Sequence, residues 1–397
     1  MAEYSLQSDA LLSMIRNGQS MTRGQKVSLA VRLSIPAIIA QLSAIIMQYI
    51  DASMVGSLGA EGSAAVGLVS TTTWLFTGTC SAVAAGFTVQ VAHKIGSNDW
   101  YGARNVLRQG ISSTLIFSII LASIGVLISS RLPIWLGGDE SIRSDASAYF
   151  MIFASFMPAM QLNYLAGGML RCSGNMRIPS LVGVLMCVLD VLFNFFLIFP
   201  TRPCTFAGIS LTIPGAGMGV KGAALGTAAA AGSAAAILLI YLWRHSGDLR
   251  PGIEKASFIP NRSVLRKALK ISIPMALEHI VICGAQIMTT VIVAPLGVFA
   301  LAANSLAVTA ESLCYMPGYG IADAATTLVG QSVGAKQREL ARSFGRITLI
   351  IGMSVMGIAG VLMFLFAPHI IGIMTPVSEV RELGVMALRI EAFAEPM

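Results

Sequence analysis

Ser34-Ile35-Pro36-Ala37-Ile38-Ile39-Ala40-Gln41 and Ser272-Ile273-Pro274-Met275-Ala276-Leu277-Glu278-His279 open two apolar stretches that run in register, without a gap, at an offset of 238 residues. Gln48 returns as Gln286, Leu58-Gly59 as Leu296-Gly297, Gly96 as Gly334, Ala103-Arg104 as Ala341-Arg342, and Pro158 as Pro396. A repeat of this length in an apolar chain implies a membrane transporter built from two duplicated helical bundles.

Composition agrees. Hydrophobic residues make up 55% of the 397 positions and charged residues 11%, against about 25% charged in soluble domains. The charges are segregated, leaving ten apolar stretches near 30–54, 63–91, 106–130, 147–170, 178–200, 218–243, 264–294, 299–329, 343–367 and from 383 onward. These are long enough to cross a bilayer as helices, and too continuous for the alternating strands of a membrane barrel. Residues 1–28 are polar and lack the apolar centre of a cleavable signal, so the first helix is expected to direct insertion.

Lys and Arg decide the orientation. Arg16, Arg23, Lys26, Arg32, Lys94, Arg104, Arg108, Arg171, Arg177 and the link from Arg244 to Lys270 fall on one side. Arg131, Arg143, Arg202, Lys221 and Arg381 are all that the other holds. The N-terminus is therefore expected in the cytoplasm and the chain in the inner membrane. Topology accounts for the net charge of +7 without a nucleic-acid partner. The six cysteines show no metal or disulfide spacing and read as packing residues.

The expected fold is all-α and membrane-integral: a cytoplasmic segment 1–28, a six-helix lobe 29–243, a cytoplasmic linker 244–262 and a second lobe 263–397. Six helices separate Pro36 from Pro274, so the repeat is parallel. By the repeat the second lobe lacks its last two helices. His245, Ser246, Gly247, Pro251, Gly252 and Pro260 suit the linker to a flexible connection.

Ionisable groups in spanning segments are functional candidates by default. Asp51 lies in the first helix with Gln48 and Gln41 near one face. Asp190 and Asn194, four apart in the fifth, project from one face. A carboxylate in a partly wet, low-dielectric pocket can exchange a proton or coordinate sodium, which makes Asp51, Asp190 and Asn194 the expected ion-coupling residues. Gln41, Gln48, Glu278, Gln286, Glu311 and Asp323 are candidates for a substrate cavity. Glu391 and Glu395 carry no assignment. Pro36, Pro274 and Pro317 interrupt helical hydrogen bonding and are candidate hinges. The Gly217-x-Gly219-x-x-Gly222 spacing follows no strand and reads as a packing turn. A P-loop is missing, as are catalytic triads and zinc-protease motifs, which argues against an enzyme.

Several stretches resemble the multidrug and toxic compound extrusion (MATE) transporters: Ile50-Asp51-Ala52-Ser53-Met54-Val55-Gly56, Ile95-Gly96-Ser97-Asn98-Asp99, Leu170-Arg171-Cys172-Ser173-Gly174-Asn175, Gly219-Val220-Lys221-Gly222-Ala223-Ala224-Leu225-Gly226-Thr227 and Leu328-Val329-Gly330-Gln331-Ser332-Val333-Gly334-Ala335. The resemblance implies a twelve-helix, two-lobed antiporter; the chain is expected to act as a monomer and without a resident cofactor. It would expel organic cations and drugs by alternating access in exchange for Na+ or H+. Asp51 falls on the acidic first-helix position tied to ion coupling in that family. In the fifth helix the family commonly has Asn first and Asp four residues later, whereas here Asp190 precedes Asn194. Two rivals are a lipid-linked precursor flippase, which should carry a basic cavity, and a non-transporting membrane receptor or scaffold, which needs no buried acids.

Overall fold

The computed structural model describes residues 2–206, 209–252, 257–375 and 377–393; Glu395 and Pro396 lie outside them. The helices are α1 (Ala2–Arg16), α2 (Arg23–Gly56), α3 (Ala60–Gly96), α4 (Trp100–Ile128), α5 (Leu132–Trp135), α6 (Glu140–Ser155), α7 (Met157–Cys172), α8 (Arg177–Ile198), α9 (Gly219–Arg244), α10 (Arg262–Val293), α11 (Val298–Gly334), α12 (Arg338–Met374) and α13 (Ser378–Glu391). Within the described residues, the ten apolar stretches fall on these helices. Among the described residues seven helices are long and apolar enough to cross a membrane. An antiparallel hairpin, β1 (Pro200–Phe206) with β2 (Ile209–Ala216), joins α8 to α9 and pairs Thr205 with Ser210.

The repeat is written into the backbone. Shifted by 238 residues, α3 lands on α11, and α4 and α6 begin where α12 and α13 begin. The positive-φ positions repeat as well: Gly59 (110°) with Gly297 (104°), and Asn98 (57°) with Lys336 (59°). The last pair ends α3 and α11 in the left-handed conformation common at helix C-termini, which Asn tolerates and Lys rarely adopts. Core register repeats too. Val69, Phe76 and Phe150 centre one apolar cluster, and their counterparts Ala307, Cys314 and Leu388 centre the other. The first cluster holds an edge-to-face Phe76–Phe150 pair at 5.5 Å, whereas the second is filled by smaller side chains.

Polarity runs inside out relative to a soluble protein. The buried stripe of α4 beyond its first turns is Thr114, Ser118, Ala122 and Gly125, while Leu127 is 78% exposed. The hydroxyls of Thr114 and Ser118 donate to carbonyls of their own helix, so polarity on this inner face leaves no unmet donor. On α12, Leu349, Ile350, Ile358 and Leu365 are all exposed, as lipid contact requires.

The chain divides into two compact units. One comprises Met1–Ile45, Ile95–Asn98 and Ile280–Met397; the other comprises Ile46–Lys94 and Asp99–His279. In the first, Gly320 lets α11 approach the α2 backbone at Ala37 and Ile38, where a Cβ would come within 2.7 Å. In the second, α8 packs on α9.

One local expectation is corrected, and two further segments show structure that their composition did not indicate. The polar start of the chain forms α1, whose Leu12 and Ile15 are buried. Its last carbonyls accept hydrogen bonds from Gln337 Nε2 (to Ile15, 2.7 Å) and Asn98 Nδ2 (to Arg16, 3.2 Å). The stretch 147–170 is not one helix but α6 and α7, parted at Phe156 because Pro158 in the first turn of α7 cannot continue the preceding ladder. Among its described residues the linker is tied down at Pro251 and Asn261. Arg108, 1% exposed, donates from Nε and Nη2 to the Pro251 carbonyl. Gln109 Oε1 accepts from the Asn261 N–H at 2.9 Å, and Gln90 Nε2 donates to the Val264 carbonyl at 3.2 Å.

Candidate functional site

The three expected ion-coupling residues meet. Asp51 sits near the end of α2; Asp190 lies in the second half of α8 and Asn194 one turn from its C-terminal end, both wholly buried. Asn194 Nδ2 donates to Asp51 Oδ1 at 2.9 Å and to Asp190 Oδ2 at 3.2 Å, so one amide bridges two carboxylates from different helices. All three lie in the unit formed by Ile46–Lys94 and Asp99–His279.

Energetics favour this bridge. A charged side chain at a helix centre in the bilayer costs about 2.5–3.5 kcal/mol on insertion scales, and a hydrogen bond to a charged group contributes about 1.5–3 kcal/mol. Each carboxylate accepts one bond from the amide, so the bridge offsets much, but not all, of the cost of the pair. The surroundings add polarity sparingly. Thr227 on α9 lies beside Asp190, and half-buried Tyr149 on α6 lies near both acids. Tyr149 also packs with Met54, Val66 and Phe199 against Val55, Ile198 and Ala223. Sequence reading passed over Thr227 and Tyr149, although a lone Thr in an Ala-rich helix is a usable signal of a polar contact.

The remaining candidates divide between the two units. Gln48 and Glu278 belong to the same unit as Asp51 and are exposed. Gln41, Gln286, Glu311 and Asp323 belong to the other unit, with Gln286 exposed and Gln41, Glu311 and Asp323 half-buried. Pro36, Pro274 and Pro317 stand inside continuous helices, as does Pro368, which the sequence did not mark.

Repeated long apolar helices that hide a carboxylate pair define a multi-pass membrane transporter. The MatE family model matches residues 36–196 and 274–397, so both repeats are covered. The chain belongs to the multidrug and toxic compound extrusion family. It is 25% identical over 361 residues to the probable multidrug resistance protein NorM of Thermotoga maritima, covering 91% of this chain and 75% of that protein. It is 26% identical over 375 residues to the NorM of Pseudomonas aeruginosa, covering 92% and 72%. In fold it is similar to a MOP superfamily transporter from Pyrococcus furiosus (TM-score 0.83, 21% identity, 97% and 82% covered). It is likewise similar to a variant of the Vibrio cholerae MATE transporter VcmN (TM-score 0.83, 19% identity, 94% and 81% covered).

Proposed function

We propose that the protein is a secondary active exporter of cationic and amphipathic small molecules, exchanging them for protons or sodium ions across the inner membrane. The observation that carries this reading is the meeting of Asp51 and Asp190 at the Asn194 amide. A pair of carboxylates so placed holds more negative charge than one amide offsets, and it gains by taking up a cation. An ion and an organic cation that compete for that charge are coupled reciprocally, which is the requirement for exchange. The multidrug resistance role in the relatives' names supports drugs as substrates.

In this reading Asp51, Asp190 and Asn194 bind the coupling ion, and Gln41, Gln48, Glu278, Gln286, Glu311 and Asp323 line the substrate's route. Pro36, Pro274 and Pro317 let lobes 29–243 and 263–397 open alternately. The transporter acts as a monomer with its N-terminus in the cytoplasm, and no step calls for a resident cofactor or for catalysis.

The test is efflux of a fluorescent organic cation from cells expressing the protein, with Asp51→Asn and Asp190→Asn at matched abundance. Export by the parent and its loss in either variant is expected. A parent that moves no cation ends the drug-export reading, and normal export with both aspartates neutralised removes the site.

A further inference from the structure

An amide that bridges two carboxylates must present its nitrogen to them, and what stands behind Asn194 decides whether it does. The backing is α9. A Cβ at Gly226 would overlap Asn194 Oδ1, and would lie 2.9 Å from its Cγ and 3.0 Å from its backbone nitrogen. One turn earlier, a Cβ at Gly222 would lie 2.5 Å from the Leu197 carbonyl oxygen and 2.6 Å from its carbon. The two glycines share a helix face with Ala230 and Ala234, both buried, and that face lets α8 and α9 approach backbone to backbone.

The glycines nevertheless differ in what they touch. Gly222 meets only main chain, whereas Gly226 meets the side chain that joins the aspartates. Asn194 Oδ1 is buried without a hydrogen-bond partner and stands where a Cβ at Gly226 would go, while Nδ2 carries both bonds to the acids. We propose that Gly226 is a positioning residue for the carboxylate pair: the absence of a side chain there seats the Asn194 amide with its nitrogen directed at Asp51 and Asp190. Any side chain at 226 pushes the amide out of that seat and breaks the 2.9 and 3.2 Å bonds. This inference rests on the exchanger reading of the same site.

The experiment compares the parent with Gly226→Ala, Gly222→Ala, Asn194→Ala and the double variant Gly226→Ala/Asn194→Ala. Cation efflux is measured over a series of external pH values, and thermal unfolding in detergent. Gly226→Ala is expected to lower efflux about tenfold or more, the scale of a lost hydrogen bond to a charged group, and to change the pH profile. Gly222→Ala should lower the unfolding temperature while keeping the parent's profile. In the Asn194→Ala background, Gly226→Ala should add little. A parental pH profile in Gly226→Ala, or losses that multiply independently in the double variant, overturns the positioning role. Should Gly226→Ala fail to accumulate, accumulation of the double variant supports side-chain overlap, and failure of both while Gly222→Ala accumulates overturns it. Asp51→Asn run alongside separates the two readings. If it exports like the parent, the exchanger reading itself falls; if it is inactive and Gly226→Ala behaves like the parent, only the glycine's role falls.

Discussion

Asn194 and Asp99 show how a single side chain can serve two structural demands. Replacing Asn194 with Leu keeps volume but removes the amide that joins Asp51 to Asp190, and a buried group deprived of its partner costs about 1–3 kcal/mol. The expected outcome is a lower unfolding temperature in detergent together with lost efflux. Asp99 accepts from Lys94 Nζ at 2.6 Å and caps α4 through the Gly102 N–H at 2.8 Å. The Lys94 ammonium, helped by that N–H, holds its carboxyl below the ordinary 3.8. A lowered folded value means the ion pair adds stability above the ordinary value and loses it as pH falls through the lowered one. Asp99→Asn keeps a capping side chain and loses the charge. At neutral pH it should be less stable than the parent by about 0.2–1 kcal/mol, as partly exposed pairs are, with the gap closing below pH 3.8. Asp99→Ala should lose about 1 kcal/mol more with its cap.

At the scale of elements, the repeat reuses positions for different ends. Asp99 caps α4, while its counterpart Gln337 leaves the α12 cap unmade and reaches the Ile15 carbonyl instead. Gln337→Ala should therefore loosen α1 and leave α12 intact, read as faster hydrogen exchange confined to residues 7–19. The linker has a comparable anchor. Arg108 is buried and its guanidinium fork clasps one carbonyl, a geometry that Lys cannot reproduce. Arg108→Ala strands the Pro251 carbonyl at about 1–3 kcal/mol, and limited proteolysis should then cut near 252–257 more readily than in the parent. Residue types alone marked this linker as flexible because Gly247, Pro251, Gly252 and Pro260 punctuate a polar sequence. Nothing local reveals that Arg108, 143 residues away in the chain, comes to hold it.

For the whole molecule, the excess of Lys and Arg in alternate loops predicts a cytoplasmic N-terminus. In intact cells carrying a Cys204→Ser background, a membrane-impermeant maleimide should label Ser57→Cys and spare Ser257→Cys, both at exposed positions. Labelling in the opposite pattern inverts the topology. The described native cysteines Cys80, Cys172, Cys187, Cys283 and Cys314 are buried and should stay silent.

The sequence by itself determined the membrane environment, the helical class and the duplication, because hydrophobic length and an unbroken offset of 238 residues are linear properties of a chain. It also named the acids, since a carboxylate in an apolar helix stands out wherever it points. That Asp190 and Asn194 share a face was legible from their spacing of four. That Asp51, in a helix far away in sequence, reaches the same amide was decided only by how α2 and α8 pack. The seat supplied by Gly226, the fastening of the linker and the docking of α1 belong to that second kind. Each depends on close approach between segments distant in the chain, and helical periodicity says which face a residue occupies without saying which neighbour that face will meet.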